Sequence, residues 1–248
     1  FRLGEFTTFL LSGLVVGIGL IEFFKMFRSE DQVSIPFNFA LISGILIFII
    51  KSISLLAVFE DSTFYAKGIE LLSDHVIIVL VITLLILELF RNKNNPIPNV
   101  STVIFGWIYL IFPFILLLKI QVEYPEAYLF LWGLFILVWS NDTFAYLSGR
   151  IFGKTKLFER ISPKKTWEGT IGGVVFTFIS AFLFSYFTAT SVVFWLCAVP
   201  IVSIGSIFGD LFESMLKRSV NCKDSGNILP GHGGVLDRFE GVFIAAPF

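Results

Sequence analysis

Val76-Ile-Ile-Val-Leu-Val-Ile-Thr-Leu-Leu-Ile-Leu87 is the stretch that decides the fold. It carries no charge, and Thr83 is its one polar residue. A strand of a membrane barrel alternates between a lipid face and a lumen face, and this stretch does not alternate. A helix that is apolar all round is either deeply buried or spans a bilayer. Working outward, the run extends over residues 71–90. Similar runs recur at 5–27, 33–50, 100–119, 126–148, 163–187 and 191–209, and an eighth begins at 239. The second is short, and residues 52–59 can lengthen it. About 20 residues at a rise of 1.5 Å cross the hydrocarbon core, where only helices and closed barrels satisfy their own backbone. The expected fold is therefore all-α: a polytopic integral membrane protein with about eight transmembrane helices.

Composition agrees. Of 248 residues, 56% are hydrophobic and only 15% charged, with 31 Phe, whereas a soluble domain is about a quarter charged. Disordered, collagen-like and disulfide-stapled classes are excluded. A formal net charge of −1 argues against nucleic acid as a partner. Cys197 and Cys222 form no metal-ligand spacing. The chain opens at Phe1 and stops at Phe248 within an apolar run. It is expected to be trimmed at both ends, with the last helix cut short and one earlier helix missing. Residues 1–125 are expected to form N-terminal transmembrane helices, and 126–248 a C-terminal catalytic region with two cytoplasmic motif loops.

Basic residues orient the spans. Only Arg2, Lys51, Lys67 and Lys119 fall on one side, and the other 14 of the 18 Lys and Arg fall on the opposite side. The richer side is expected to be cytoplasmic. Ten of the 14 crowd into two loops in the second half, which topology alone does not explain.

The first loop follows Asp142, an acid inside an apolar helix and about two turns before Arg150. Intramembrane acids are costly and are functional candidates, the plainer alternative being a local pair with a Lys. Ser162-Pro163 reads as a helix start, with Ser at the N-cap and Pro at the first helical position. Lys164 and Lys165 then fall in the first turn, where the helix dipole favours anions. Either a phosphate sits among them or they snorkel and enforce topology. In the second block Asp210, Glu213, Ser214 and Lys217 share one helical face. Pro230-Gly-His-Gly-Gly234 then forms a turn able to bring backbone N–H groups close to a phosphate, with Asp237 and Glu240 just beyond. Carboxylates without clustered Cys or His suit Mg²⁺ shared with phosphates rather than zinc. The residues alone thus point to a membrane enzyme that handles polyphosphate at the cytoplasmic interface.

Ser214-x-x-Lys217-Arg218-x-x-x-x-Lys223-Asp224-x-Gly226-x-x-Leu229-Pro230-Gly231-His232-Gly233-Gly234-x-x-Asp237-Arg238 resembles the signature of the phosphatidate cytidylyltransferase (CDP-diacylglycerol synthase) family. Asp142-Thr143-x-Ala145-Tyr146 and Ser162-Pro163-Lys164-Lys165-Thr166-x-Glu168-Gly169 are similar to that family too, so the motifs cover roughly the second half. One departure is Glu240, where the pattern usually has Asp. The resemblance implies CMP transfer from CTP to phosphatidic acid, giving CDP-diacylglycerol and pyrophosphate for phospholipid biosynthesis. It implies that Asp210 and Asp237 hold Mg²⁺, with Asp142 and Glu240 as further candidate ligands and a second cation as an option. Lys217 would act on the reacting phosphates, with Ser162, Lys164, Lys165, Arg218, Lys223 and Arg238 binding phosphates. Asp224, Ser225, Gly231, His232, Gly233 and Gly234 would shape the nucleotide site. A homodimer in a bacterial cytoplasmic membrane, with the site facing the cytoplasm, is implied as well. The competing readings are another CTP-dependent lipid enzyme (a CDP-archaeol synthase or a polyprenol or phytol kinase) and, from a different class, a membrane transporter.

Overall fold

A computed structural model describes residues 3–28, 33–60, 64–124, 126–226 and 233–248. Its helices in chain order are α1 (Leu3–Arg28), α2 (Phe37–Glu60), α3 (Phe64–Arg91), α4 (Pro96–Glu123), α5 (Ala127–Phe152), α6 (Trp167–Thr188), α7 (Val192–Ser219) and α8 (Leu236–Ala245). Between α5 and α6 lies an antiparallel hairpin of β1 (Lys156–Phe158) and β2 (Ser162–Thr166). The first seven helices are long and apolar enough to cross a membrane, and α8 has ten residues. The protein is an all-α integral membrane protein, as the apolar runs predict.

Local chemistry sets the helix ends. α4 opens on Pro96 and Pro98, which belong in a first turn where N–H groups lack intrahelical acceptors anyway. Ser191 caps α7 by accepting from the Phe194 N–H at 3.3 Å. α7 then runs unbroken from the apolar stretch through Asp210, Glu213, Ser214 and Lys217, so these four residues stand on the end of a spanning helix.

The chain divides into two compact units, residues 1–125 with 224–237 and residues 126–223 with 238–248. In the first, Leu20, Phe23 and Phe24 of α1 are fully buried, as are Leu84 of α3 and Leu110 of α4. Gly106 makes room for the two Phe rings, because a Cβ there would lie 2.8 Å from Phe23 and 2.9 Å from Phe24. The buried acid Glu88 is satisfied by Arg91 at 2.6 Å and by the Asn99 side-chain amide at 2.5 Å.

In the second unit small residues let helices approach closely, which is how helices associate where lipid removes the hydrophobic drive. Gly169 and Gly173 of α6 lie against α5: a Cβ on Gly173 would come 2.8 Å from the Asn141 carbonyl oxygen, and one on Gly169 2.7 Å from that of Ala145. Phe144 and Phe176 stack beside this seam, with ring centroids 4.3 Å apart. A second seam joins α7 to α8, where Gly205 meets Ala245, and Gly209 meets the backbone of Glu240 and Gly241.

The hairpin corrects the sequence reading. Ser162 and Pro163 do not start a helix, and Lys164 and Lys165 are not in a first turn: all four belong to β2. The helix starts at Trp167, and Thr166 is its cap, accepting from the Gly169 N–H at 3.2 Å. A Ser before Pro is held in extended backbone whether it caps a helix or continues a strand, so the dipeptide signals both. The sign of charge decides between them. Glu168 takes the first-turn position that the dipole favours, and its carboxylate accepts from the N–H groups of Lys154 and Thr155 at 3.1 Å. The lysines stay outside.

Candidate active site

The second unit gathers most of the charged residues named above. Lys165 of β2 reaches Asp210 of α7, Nζ to Oδ2, at 2.5 Å. Ser214, one turn on from Asp210, donates to its Oδ1 at 3.2 Å. One further turn along the same face, Lys217 lies 3.3 Å from Glu213 and 4.0 Å from Glu240 of α8. Glu213 is 2% exposed. Asp142 of α5 accepts from the Ser206 hydroxyl of α7 at 2.6 Å and feels the charges of Asp210 and Lys165. Glu240 feels Asp210, Glu213, Lys217 and Lys165. Asp142, Asp210, Glu213 and Glu240 thus gather around the ammonium groups of Lys165 and Lys217, and these four side chains offer oxygen donors.

That donor set fits Mg²⁺, which binds through one or two carboxylates and completes its octahedron with water and phosphate oxygens. Among the described residues no three or more His, Cys, Asp or Glu form a ready cage.

Strand alternation separates the two lysines. Successive side chains of a strand point to opposite faces, so Lys165 is half-buried against Asp210 while Lys164 is exposed. What is overturned is their shared place in the first turn of a helix. Lys165→Ala should lower kcat/KM by about ten- to a hundredfold, the worth of a charge-assisted contact, and Lys164→Ala by less than about threefold. Steady-state kinetics on both purified variants checks this, and equal losses would contradict the strand geometry.

Of the remaining predicted residues in this unit, Ser162 is half-buried in β2, and Arg218, Lys223 and Arg238 are exposed. The first unit holds the others. Asp237, at the start of α8, accepts through Oδ2 from the Ser225 N–H (3.0 Å), the Ser225 hydroxyl (2.9 Å) and the Gly234 N–H (2.7 Å). Gly233 has φ of +81°, which a side chain adopts only under strain. Asp224 is exposed and Ser225 buried. Gly231 and His232 lie outside the described residues.

These motifs sit in a chain matched throughout, residues 1–248, by the model of the cytidylyltransferase family. The chain belongs to that family. Curated relatives of this chain carry the name phosphatidate cytidylyltransferase. The Bacillus subtilis protein is 31% identical over 95% of this chain and 85% of its own length. The Rickettsia conorii protein is 32% identical over 82% of this chain and 88% of its own. The Haemophilus influenzae protein reaches 48% identity over 121 residues, which is 46% of this chain and 42% of that relative. The chain thus spans less than half of some matched relatives and most of others.

Of three side chains that hold motif residues, Ser206 and Glu22 escaped the sequence reading, and Thr166 was read as part of a motif without its capping role. Ser206 fixes Asp142, Thr166 caps α6, and Glu22 of α1 holds the segment bearing Asp237. Glu22 carried a signal, since it is an acid inside an apolar run.

Proposed function

We propose that this chain is a phosphatidate cytidylyltransferase, transferring CMP from CTP to phosphatidic acid at the cytoplasmic face of a bacterial membrane. The observation that carries the reading is the family match over residues 1–248. The charged cluster at the end of α7 supports it. An oxygen of the lipid phosphate attacks the α-phosphorus of CTP, a P–O bond forms, the α–β anhydride bond breaks, and pyrophosphate leaves. The nucleophile is the substrate's own anion, so no activated Ser or Cys is needed. Positioning and charge stabilisation remain as the protein's task.

Lys165 and Lys217 supply the positive charge to the phosphates in this reading. Each is already held by a carboxylate, Lys165 by Asp210 and Lys217 by Glu213, so neither must be ordered when substrate arrives. Asp210, with Asp142 and Glu240 beside it, would hold Mg²⁺. When bound, the ion would neutralise charge on the phosphates and favour departure of pyrophosphate. Asp237 keeps a metal-binding role through the family resemblance, and a homodimer belongs to the same proposal. The apolar helix surfaces leave the acyl chains in the bilayer.

The test is direct. Purified protein receives Mg²⁺, phosphatidic acid and CTP labelled at the α-phosphorus. The expected outcome is label in the lipid fraction with pyrophosphate released in equal amount. Release of CDP instead would identify a kinase, and folded protein that leaves the lipid unlabelled would sink the proposal.

A further inference from the structure

Glu22 lies six residues before the end of α1, within a membrane span, and is 3% exposed. A carboxylate in that position is costly unless its charge is met by donors. Its neighbouring donors are Ser225 and the two residues at the start of α8. Oε1 accepts from the Val235 N–H at 3.0 Å. Oε2 accepts from the Leu236 N–H at 2.9 Å, and the Ser225 hydroxyl lies 3.4 Å from it. Leu236 opens α8, so the carboxylate meets N–H groups that have no acceptor within their own helix, at the end where the dipole favours an anion.

The glycines around it complete the fit. A Cβ on Gly226 would have Glu22 as its nearest neighbour, 2.6 Å from Oε1. A Cβ on Gly234 would come 2.6 Å from Oε2. Ser225 is approached from a second side by Asp237, which also holds the Gly234 N–H. Glu22 therefore grips the backbone at the start of α8, while Asp237, the second residue of that helix, closes the segment from the other side.

We infer that Glu22 is a positioning residue: it fixes the N-terminus of α8 and, through Ser225 and Gly234, the direction in which Asp237 presents its carboxylate. The kinetic consequence rests on the proposed cytidylyl transfer, whereas the clamp itself does not. A carboxylate displaced by an ångström leaves a polyphosphate substrate misaligned, at a cost of up to about a hundredfold in rate.

Two measurements test it. The first is amide hydrogen exchange on detergent-purified protein. Glu22→Ala and Glu22→Gln should speed exchange in peptides covering 233–240 roughly tenfold or more, with α4 unchanged. The second is kinetics. Glu22→Ala should raise both the KM for CTP and the half-saturating Mg²⁺ concentration several-fold, lowering kcat/KM by about ten- to a hundredfold. Glu22→Gln keeps one carbonyl acceptor and should recover part of the loss. A role in folding alone would reduce the active fraction and leave both constants unchanged in what remains.

If Glu22→Ala does not fold, Gly226→Ala carries the test, because its methyl group would displace an intact carboxylate. It should shift the same constants, and should add little in the Glu22→Gln background. Wild-type exchange at 233–240 in Glu22→Gln and Gly226→Ala, or unchanged constants for CTP and Mg²⁺, overturns the inference. Wild-type protein inert toward CTP and phosphatidic acid would end the proposed function instead, and the exchange measurement would still decide the clamp.

Discussion

Asp210→Asn should remove most turnover, about a hundredfold or more, from a protein that remains folded. The substitution keeps the shape of the side chain and can still accept from Ser214, which lies 3.2 Å from Oδ1. What it removes is the negative charge 2.5 Å from Lys165. If Asp210 only paired with that lysine, a partly exposed ion pair would be lost, at a cost near 1 kcal/mol or less, and activity would fall modestly. If it holds a cation for the phosphates, the chemistry itself is lost. Glu240→Gln separates these cases further, because Asp210 and Glu240 feel each other's charge. Two ligands of one ion act as a unit, so the double variant should be little worse than Asp210→Asn alone. A Mg²⁺ titration of both single variants and the double, alongside thermal midpoints in detergent, decides the matter. Near-normal activity with unchanged Mg²⁺ dependence in Asp210→Asn would refute the metal assignment.

Gly209→Ala should be almost as damaging, by another route. Its methyl group would run into the carbonyl oxygen of Glu240 and lie 3.0 Å from the Cα of Gly241. Those atoms are backbone, so relief requires α8 itself to shift, and overpacking of this kind costs about 1–3 kcal/mol. The shift would carry Glu240 away from Lys217, now 4.0 Å distant. Turnover should fall at least about tenfold, since misplacement by an ångström has effects of that order or larger. Gly17→Ala is the control: nothing lies within 4 Å of a Cβ there, and its thermal midpoint and activity should match wild type. Equal behaviour of the two variants would contradict the α7–α8 seam.

The spans were legible because hydrocarbon leaves the backbone few choices. The run read at 5–27 is α1, Leu3–Arg28. Where helix ends were misjudged, polarity and helicity had parted company. α3 begins at Phe64 rather than 71, since Lys67, Gly68 and Glu70 interrupt the apolar run without interrupting the hydrogen-bond ladder. The run expected from 33 begins as helix only at Phe37.

The hairpin was not legible, because Ser162-Pro163 fits two backbones and the deciding contact is Lys156 opposite Thr166, ten residues apart. Glu22 was hidden by distance: its partners lie more than 200 residues along the chain. The glycine seams were within reach. Gly169 and Gly173, like Gly205 and Gly209, stand four apart on apolar helices, the spacing that marks a close helix contact. Asp142 announced itself as an acid in a span, yet only the fold supplies Ser206 as the group that orients it.

A sheet of two strands has two open edges, each a row of backbone groups with no partner in the sheet. In hydrocarbon each such group would cost several kcal/mol, roughly the price of a bare amide in oil. The hairpin of Lys156–Phe158 and Ser162–Thr166 therefore floats: it cannot sink below the level at which water and headgroups satisfy its edges. It is tied to α6 by the Thr166 cap and to α7 by Lys165, and so it sets the waterline for the whole charged cluster. A lipid phosphate already rides at that level. The proposed reaction would then require no vertical transport of either partner: the tails would stay submerged, the nucleotide afloat, and the two anions would meet at the surface where each began.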